Sequence, residues 1–432
     1  MNICLMTNTY LPHVGGVAKS VSTCARSFHR QGHGVLVIAP AYDEPAPADD
    51  EALVERVVAI KRFNHTDFSV RLPFATACLT RLRQFAPDVV HSHHPFLLGE
   101  NALRLSMARR VPLIFTHHTR YEDYLHYLPF EAVDLKAFVT SLCTYYANHC
   151  DAVIAPSASA AARLAAHGVL RPVEVIPTGT DTARFARGDG AALRRRMGIP
   201  KDAFVIGTVG RLAPEKNLEY LAQAAARSLR RLPGAHFLVA GDGPAGPALR
   251  RILEEAGAGE RIHLCGTLEG SDLVDAYHAM SVFAFSSLTE TQGLVLTEAM
   301  AAGLPVVALR ADGVQDVMTP GVGLMLETAA SPEVFARALL KLAQEPGLRT
   351  RMSGTARRVA ARYDHERCAQ AVLDVYREAG RRYRAQRSAA GQNHLKSLQR
   401  RLSVEWKLIT NKAKFAVKSL PSDMSLPEIP LC

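Results

Sequence analysis

Two cations lie five positions apart, after a short apolar run in the second half of the chain. They are Arg211 and Lys216, in the stretch Gly-Arg-Leu-Ala-Pro-Glu-Lys-Asn. Beside the start of a helix, such a pair can clamp a diphosphate, because both side chains donate charge-assisted hydrogen bonds to phosphoryl oxygens. The alternative is a pair of solvated surface side chains, which is the usual place for a single Lys or Arg.

Two carboxylates and a glycine form a second candidate site. Glu290 ends a loop, Gly293 opens a predicted helix, and Glu298 lies inside that helix. The amides of Gly293 and Leu294 can meet a phosphate, and the carboxylates can accept hydrogen bonds from sugar hydroxyls. A Glu in an otherwise apolar helix needs a partner, since charged groups are rarely buried alone. Alternatively, Glu290 is a capping residue and Glu298 is exposed.

Two glycine-containing turns follow predicted strands. One contains Gly15 and Gly16, and the other contains Gly241 and Gly243. Glycine lets the backbone approach a ligand closely, and amides at a helix start suit an anionic or polar group. Each turn is equally compatible with a plain connection between a strand and a helix.

The elements that must position these residues are short apolar runs alternating with helical patterns, which is typical of βαβ units and parallel sheets. The stretch Ile176–Phe185 is rich in Pro, Gly and Thr and predicts an interdomain linker. Two doubly wound domains would form a cleft between the carboxyl ends of their sheets, where ligands of such folds bind. The predicted strands are Ile3–Met6, Val35–Ile38, Val89–His91, Leu113–Thr116, Ala152–Ala155, Val205–Thr208, His236–Ala240, Ile262–Leu264, Val282–Phe285 and Val306–Leu309.

Length and composition favour a cytoplasmic globular protein of two domains. The chain has 432 residues, nearly half of them apolar, and no apolar stretch approaches the roughly 20 residues that span a bilayer. We recognise no export signal at its start. The eight cysteines are scattered without metal-ligand spacing, so we expect reduced thiols and no metal site.

The net charge of +10 is concentrated near the C-terminus. Between Arg381 and Lys418 there are eleven Lys and Arg residues and one acid, Glu405. This segment also carries an apolar stripe at helical spacing, which predicts a basic amphipathic helix that binds an anionic membrane surface. Alternatives are a disordered basic tail or a stripe docked on the protein, and nucleic acid is a weaker candidate because no binding motif is present. The stripe is formed by Leu395, Leu398, Leu402, Trp406 and Ile409.

Jointly, the motifs resemble those of glycosyltransferase family 4, whose members are retaining enzymes with the GT-B fold of two Rossmann-like domains facing across a cleft. The resemblance covers roughly residues 1–380. The motifs that carry it are Pro12 with Gly15-Gly16, Gly32-His33, Gly210-Arg211 with Glu215-Lys216-Asn217, Gly241-Asp242-Gly243-Pro244, and Glu290 with Glu298, which are separated by seven residues.

The resemblance implies roles for individual residues. Arg211 and Lys216 would hold the donor diphosphate, Glu290 would contact the sugar hydroxyls, and His118 falls where the family has an active-site histidine, although His117 is adjacent. These four residues are the predicted catalytic set. The predicted donor-binding set is Gly15, Gly16, Gly241, Gly243, Gln292, Gly293, Leu294 and Glu298, the last of them on the ribose.

One departure from the common family pattern is informative. Thr291-Gln292-Gly293 stands where many members have Glu or Gly, Phe and Gly. With the stretches 91–96 and 116–124, this variant resembles the diacylglycerol glucosyltransferases of the family. The resemblance therefore implies a lipid acceptor, which agrees with the basic tail.

The implied chemistry is hexosyl transfer with retention and without a metal. Retention usually requires a carboxylate nucleophile, and both motif glutamates are already assigned to binding hydroxyls. The family's usual account is attack on the face that the phosphate leaves, with the leaving phosphate helping to deprotonate the acceptor. No Asp-x-Asp triplet is present, so we expect neither a metal nor a cofactor, and UDP-glucose as the co-substrate.

We accordingly divide the chain into four parts. Residues 1–175 form an acceptor-side domain, residues 186–364 a nucleotide-sugar-binding domain, residues 365–385 a helix that crosses back to the first domain, and residues 386–432 the basic tail. The favoured function is glucosyl transfer to a lipid such as diacylglycerol, at the inner face of the cell membrane. The alternatives are transfer to a soluble sugar, polyol or glycan, a GT-B epimerase or phosphorylase, and a non-catalytic protein that binds nucleotide sugars.

Overall fold

The computed structural model describes residues 1–13, 15–42, 53–57, 59–60, 70–71, 76–123 and 135–389. In these ranges the chain forms two parallel sheets with helices packed on them, which confirms the predicted pair of Rossmann-like domains. The basic segment beyond residue 389, with its predicted amphipathic stripe, lies outside the described residues.

The first sheet has seven strands in the order β3-β2-β1-β6-β7-β8-β9, and β1 lies between β2 and β6 with all pairs parallel. Two further short strands, β4 and β5, form a separate antiparallel pair. The strands β1 to β9 are Asn2–Met6, Gly34–Pro40, Val54–Val57, Ala59–Ile60, Val70–Arg71, Val89–Ser92, Leu113–Thr116, Ala152–Ala155 and Val173–Val175.

The second sheet has six parallel strands in the order β12-β11-β10-β13-β14-β15. Neighbouring residues of one of its strands enter different cores: Val282 and Ala284 pack with one cluster, and Phe283 and Phe285 with the other. Because side chains alternate across a strand, both faces of this sheet are covered by apolar groups. The strands β10 to β15 are Phe204–Val209, Ala235–Ala240, Ile262–Leu264, Val282–Phe285, Val306–Leu309 and Gly323–Leu326.

Helices connect the parallel strands, as crossover connections require. The first of them shows the amphipathic pattern, because Ala18, Val21, Ala25 and Phe28 are buried at spacings of three and four residues. Within the described ranges, helices α1 to α15 are Gly16–Arg30, Thr76–Phe85, Leu98–Arg109, Leu135–His149, Ala158–Ala166, Thr182–Phe185, Gly190–Arg196, Leu218–Arg231, Gly246–Glu255, Gly270–Ala279, Leu294–Ala301, Val314–Val317, Pro332–Gln344, Pro346–Ala360 and His365–Ala389.

All ten predicted strands are present, and most differences lie at their ends. The sequence prediction missed β3, β4, β5, β9 and β15. Two of these, β9 and β15, are edge strands with no fully buried residue. The sequence of β9, Val-Glu-Val, lacks the continuous apolar run of a central strand.

The chain crosses between the domains twice, and the two crossings pair with each other. In the predicted linker Ile176–Phe185, Thr180 N donates to Tyr363 O at 2.7 Å, and His365 N donates to Thr180 O at 3.1 Å. Gly179 is required at this contact, because a Cβ there would lie 2.5 Å from His365 Cα. The linker is therefore a packed junction, and only its last residues form the short helix α6.

The long helix α15 returns to the first domain. Its Ala369, Val372, Leu373 and Tyr376 are buried in the same core as residues of β1 and α1. Fully burying such side chains contributes about 1.5–3 kcal/mol each for the larger ones. The helix begins at His365 because the Asp364 carboxylate accepts the Glu366 amide at 3.1 Å and caps its first turn.

Candidate active site

Two helices begin opposite each other across the cleft, one from each domain. Helix α1 starts at Gly16 and α11 starts at Leu294, and a Cβ built on Gly16 would lie 3.7 Å from Leu294 Cδ1. Helix N-termini present unpaired amides and a partial positive charge. The two ends together make a place where an anionic group is stabilised from both sides.

Lys216 and Glu290 meet at the edge of this cleft. Lys216 Nζ donates to Glu290 Oε1 at 2.5 Å, and both side chains are mostly buried. Burial alone would raise the pKa of Glu290, but the adjacent ammonium and the hydrogen bonds from Lys216 and Ser287 outweigh it and lower that pKa. The predicted phosphate-binding cation and the predicted sugar-binding carboxylate therefore lie side by side, both charged.

The loops that carry these two groups are fastened to each other. The Ser286 hydroxyl lies 2.9 Å from Lys216 O and 3.0 Å from Asn217 O and donates to these carbonyls, and Asn217 Nδ2 donates to Ser286 O at 3.3 Å. Asn217 itself has a positive φ of 54°, which an Asn tolerates better than most residues. The distance between Lys216 and Glu290 is thus set by backbone contacts as well as by their own charges.

Arg211 lies on the same loop and pairs with Glu215. The distance between Arg211 Nη2 and Glu215 Oε1 is 2.5 Å, and the guanidinium side chain remains 39% exposed, whereas the Glu215 side chain is buried. A buried carboxylate on the same loop therefore holds the partly exposed guanidinium of Arg211.

Gly241 and Gly243 pack against the backbone of the loop that carries Arg211. Both have a φ near +150°, and a Cβ on Gly241 would lie 1.9 Å from Gly210 O. A Cβ on Gly243 would lie 2.5 Å from Leu212 O. The glycines predicted to contact the donor therefore allow the backbone of residues 241–245 to pack directly against that of residues 210–212.

Glu298 is buried in α11. The sequence predicted that a Glu at this position would need partners, and the structure provides two. The Tyr277 hydroxyl donates to Glu298 Oε2 at 2.7 Å. Across the cleft, Lys19 Nζ from α1 lies 3.6 Å from Glu298 Oε1. The exposed alternative for Glu298 is wrong, because its side chain is only 6% exposed.

Gln292 is placed apart from this group. Its side chain is buried, its Oε1 accepts from Thr178 N at 2.7 Å, and its Nε2 donates to Thr178 O at 3.0 Å. Both ends of the amide are therefore engaged by the interdomain linker. Gly293, next to it, has a φ of +79° and precedes α11, and it offers the first amides of this helix no capping side chain.

Gly313 determines the path of the loop that carries Glu290. A Cβ on Gly313 would lie 2.6–2.8 Å from backbone atoms of residues 290–292. Next to it, Asp312 Oδ2 accepts from Arg163 of the first domain at 2.7 Å. The same stretch of chain thus supports the Glu290 loop and binds the opposite domain.

His118 lies on the first-domain side of the cleft. Its carbonyl accepts from the Thr291 hydroxyl at 2.7 Å, which joins it to the loop of Glu290. Its Nε2 lies 2.9 Å from His93 Nδ1, and the two rings are stacked. The adjacent His117 is buried, and its backbone N–H donates to Ile154 O at 2.9 Å.

Five histidines cluster where β6 and β7 end. Burial lowers the pKa of His91 and His94 to about 3 and, with His167 and Arg163 adding to it, that of His117 to about 4. Burial and neighbouring histidines hold the pKa of His93 and His118 well below the ordinary value. The cluster is therefore uncharged at neutral pH, and in the described part of the chain no group of three or more potential ligands could hold a metal ion.

The structure brings together Lys216, Glu290, Glu298, His118 and the N-termini of α1 and α11 at one cleft. Sequence reasoning missed Lys19, Tyr277, Ser286, His93 and Gly313. The polar Ser286-Ser287 pair directly after the apolar run Val282–Phe285 was a usable signal. Tyr277 and Lys19 gave none, because their importance comes only from the partner that the fold supplies.

Comparison with known proteins agrees with this architecture. Residues 14–184 match the family model Glycosyltransferase Family 4, and residues 190–359 match Glycosyl transferases group 1. The alpha-monoglucosyldiacylglycerol synthase of Acholeplasma laidlawii is 29% identical over 73% of this chain and 82% of its own. The GDP-mannose-dependent alpha-mannosyltransferase of Mycobacterium tuberculosis is 32% identical over 80% of this chain and 89% of its own.

The fold is also shared with solved structures. The Anabaena protein HepE, solved in complex with UDP-glucose, aligns with a TM-score of 0.69 at 20% identity, over 87% of this chain and 99% of that chain. The facing helix N-termini, the two motif glutamates and the sequence matches over both domains agree, and the chain belongs to glycosyltransferase family 4.

Proposed function

We propose that this chain transfers a glucosyl residue from UDP-glucose to a lipid acceptor such as diacylglycerol, with retention of configuration and without a metal ion. The observation that carries the proposal is the cleft in which Lys216 and the start of α11 face the start of α1, with Glu290 and Glu298 on either side. Cations and helix amides suit the diphosphate of a donor, and the flanking carboxylates suit the hydroxyls of its two sugars.

The catalytic contribution of this cleft is electrostatic. As the sugar leaves, charge builds on the diphosphate, and Lys216, Arg211 and the amides at Leu294 are fixed in place to stabilise it. Glu290 is held by Lys216, so we assign it to the sugar hydroxyls and not to nucleophilic attack. The acceptor then attacks on the face that the phosphate leaves, and a phosphate oxygen takes the acceptor proton.

The lipid acceptor is supported by relatives and by charge. The curated relatives include alpha-monoglucosyldiacylglycerol synthases from Acholeplasma laidlawii and Streptococcus pneumoniae. The segment Arg381–Lys418 would attract an anionic membrane surface, where such an acceptor resides. In the described ranges no helix is long and apolar enough to cross a bilayer, so we propose a peripheral association at the inner face of the cell membrane.

The second candidate is transfer to a soluble acceptor. It is supported by a relative named D-inositol 3-phosphate glycosyltransferase, which is 30% identical over 84% of this chain. A protein that binds nucleotide sugars without catalysis is less compatible with the site, because Lys216, Glu290 and Glu298 are all present and partnered.

The deciding experiment measures nucleotide release by the full-length chain. UDP-glucose and GDP-mannose are each incubated with diacylglycerol in mixed micelles, with soluble sugars and polyols, or with no acceptor, and with EDTA present throughout. We expect UDP release in proportion to glucosyldiacylglycerol formed. Release only with a soluble acceptor would support the second candidate, and nucleotide-sugar binding without release would support the non-catalytic one.

A separate experiment tests membrane association. The full chain and a chain ending at residue 390 are sedimented with vesicles that contain or lack anionic lipid. We expect only the full chain to sediment, and only with the anionic vesicles, with binding that weakens as salt is added. Equal sedimentation of both chains would contradict a membrane role for the tail.

A further inference from the structure

The ring of His118 has one nitrogen bound to protein and one facing outward. Its Nε2 lies 2.9 Å from His93 Nδ1, and the structure gives its Nδ1 no partner among the residues it describes. The ring is partly exposed, and the Thr291 hydroxyl binds the His118 carbonyl, so the residue borders the donor cleft. Whether this Nδ1 carries a proton decides whether His118 can donate or accept a hydrogen bond in the cleft.

His93 restricts the choice. It is buried, and its Nε2 is a buried atom with no hydrogen-bond partner in the described part of the chain. In one arrangement, His118 Nε2 donates to His93 Nδ1. Neutral His93 then carries its proton on Nε2, which would be a buried donor without an acceptor. In the other arrangement, His93 Nδ1 donates to His118 Nε2, and the unpartnered His93 Nε2 is only an acceptor. Buried donors without acceptors are the rarer situation.

We propose that His93 is a positioning residue that holds His118 in the Nδ1–H form, so that His118 offers an N–H donor to an oxygen atom of the bound donor. This inference rests on the proposed function for the identity of the ligand but not for the proton position. It gives His118 the role of a hydrogen-bond donor, and it excludes the ring as the base that deprotonates the acceptor, since its second nitrogen is occupied.

The surroundings of His93 hold its ring in place. The His91 ring packs against it at a tilt of 37°, with ring centroids 4.1 Å apart. His91 is in turn fixed at both nitrogens, by the Tyr376 hydroxyl at 2.5 Å and the Thr116 hydroxyl at 2.7 Å. Tyr376 belongs to α15, the helix that returns from the second domain. Burial keeps these imidazoles neutral, so each carries one proton at physiological pH.

The direct test is the proton position in the full-length chain. Nitrogen-15 spectra of histidine-labelled protein, with the His118 signals assigned by their loss in His118→Gln, report which ring nitrogen carries hydrogen. We expect a protonated Nδ1 and an unprotonated, hydrogen-bonded Nε2 for His118. A protonated Nε2 overturns the proposal. This measurement needs no activity, so a chain with the expected proton position but no transfer would refute only the proposed function.

Variants of His93 provide the functional test. His93→Asn keeps an N–H at the position of Nδ1, and His93→Leu removes it. We expect His93→Leu to lower kcat/KM for UDP-glucose about tenfold, as for loss of one oriented hydrogen bond, and His93→Asn to restore most of it. If both variants are folded and lose kcat/KM to the same extent, the proposal is overturned.

Binding of UDP and of UDP-glucose to His118→Ala identifies the oxygen that His118 contacts. Weaker binding of UDP-glucose alone assigns an oxygen of the transferred sugar. Weaker binding of both ligands assigns a phosphoryl oxygen. Unchanged binding of both overturns the proposal.

Discussion

Lys19 of the first domain and Glu298 of the second form an ion pair across the cleft, with Lys19 Nζ 3.6 Å from Glu298 Oε1. Glu298 is the carboxylate that the family resemblance places on the donor ribose. The same carboxylate therefore also contacts the first domain, and we expect a donor ribose to compete with Lys19 for it.

We expect Lys19→Met to favour an open cleft when no donor is present. Lys19 is 41% exposed, and exposed pairs contribute at most about 1 kcal/mol, which is a shift of about fivefold in the ratio of closed to open forms. Single-molecule energy transfer between one dye on each domain measures that ratio. Arg196→Met is the control, because the Arg196–Asp272 pair lies within the second domain. Identical populations in both variants would contradict the idea.

We expect Lys216→Ala to lower kcat by two to three orders of magnitude. Loss of one fixed group that stabilises charge in a transition state typically costs about 3 kcal/mol. The measurement is initial rate at saturating UDP-glucose, together with a thermal melt, because Glu290 also loses its partner. Arg251→Ala is a matched control on an exposed helix face. Turnover within a few-fold of the unaltered chain would remove Lys216 from the diphosphate site.

The fold was largely predictable from the sequence because its central strands are buried on both faces. A run such as Val282–Phe285 has no polar side, and only a parallel sheet covered by helices accommodates several such runs. Edge strands such as Val173–Val175 are half exposed and carry no comparable pattern.

The candidate site was predictable where one segment of sequence contains the chemistry, as in Glu290 to Glu298. It was not predictable where partners come from distant segments. Tyr277 and Lys19 reach Glu298 from a different helix and a different domain. The glycines at 241 and 243 were predicted to face the ligand, and the fold also gives them a packing role that depends on residues 210–212.

We expect Tyr277→Phe to raise the KM for UDP-glucose with little change in kcat. The hydroxyl orients Glu298 through a 2.7 Å hydrogen bond in a buried position, and a hydrogen bond to a charged group contributes about 1.5–3 kcal/mol. Part of that loss is recovered by Lys19, so an increase of roughly tenfold is expected. Steady-state kinetics with varied donor measures it. A fall in kcat at unchanged KM would show that Glu298 acts on the reacting bond instead.

We expect Gly241→Ala to destabilise the second domain and to reduce activity. Its φ of +148° is unfavourable for alanine, and the new Cβ would lie 1.9 Å from Gly210 O. Strain and displacement of this kind cost more than about 2 kcal/mol. Urea unfolding followed by circular dichroism measures the change. Gly234→Ala is the control, because a Cβ there meets nothing within 4 Å, and equal stability of the two variants would contradict the packing role.

We expect the first domain to lose stability as pH falls below about 6.5. Burial lowers the pKa of His91 and His94 to about 3 and that of His117 to about 4. Between those values and the unfolded value near 6.5, the unfolded chain binds protons that the folded chain does not, so the free energy of unfolding decreases with decreasing pH. Each histidine contributes about 1.4 kcal/mol per pH unit within that interval.

Urea unfolding at pH 7, 6 and 5 measures this dependence. His94→Asn is the informative variant, because the Asn oxygen can accept the Asn8 amide that His94 Nδ1 now accepts at 3.1 Å. The variant removes one titrating ring and keeps that contact. Between pH 6 and pH 5, unfolding of the variant should therefore take up about one proton fewer, and its free energy of unfolding should depend less steeply on pH. A free energy of unfolding that stays constant from pH 7 to pH 5 would mean that the histidines are solvated and titrate normally in the folded chain.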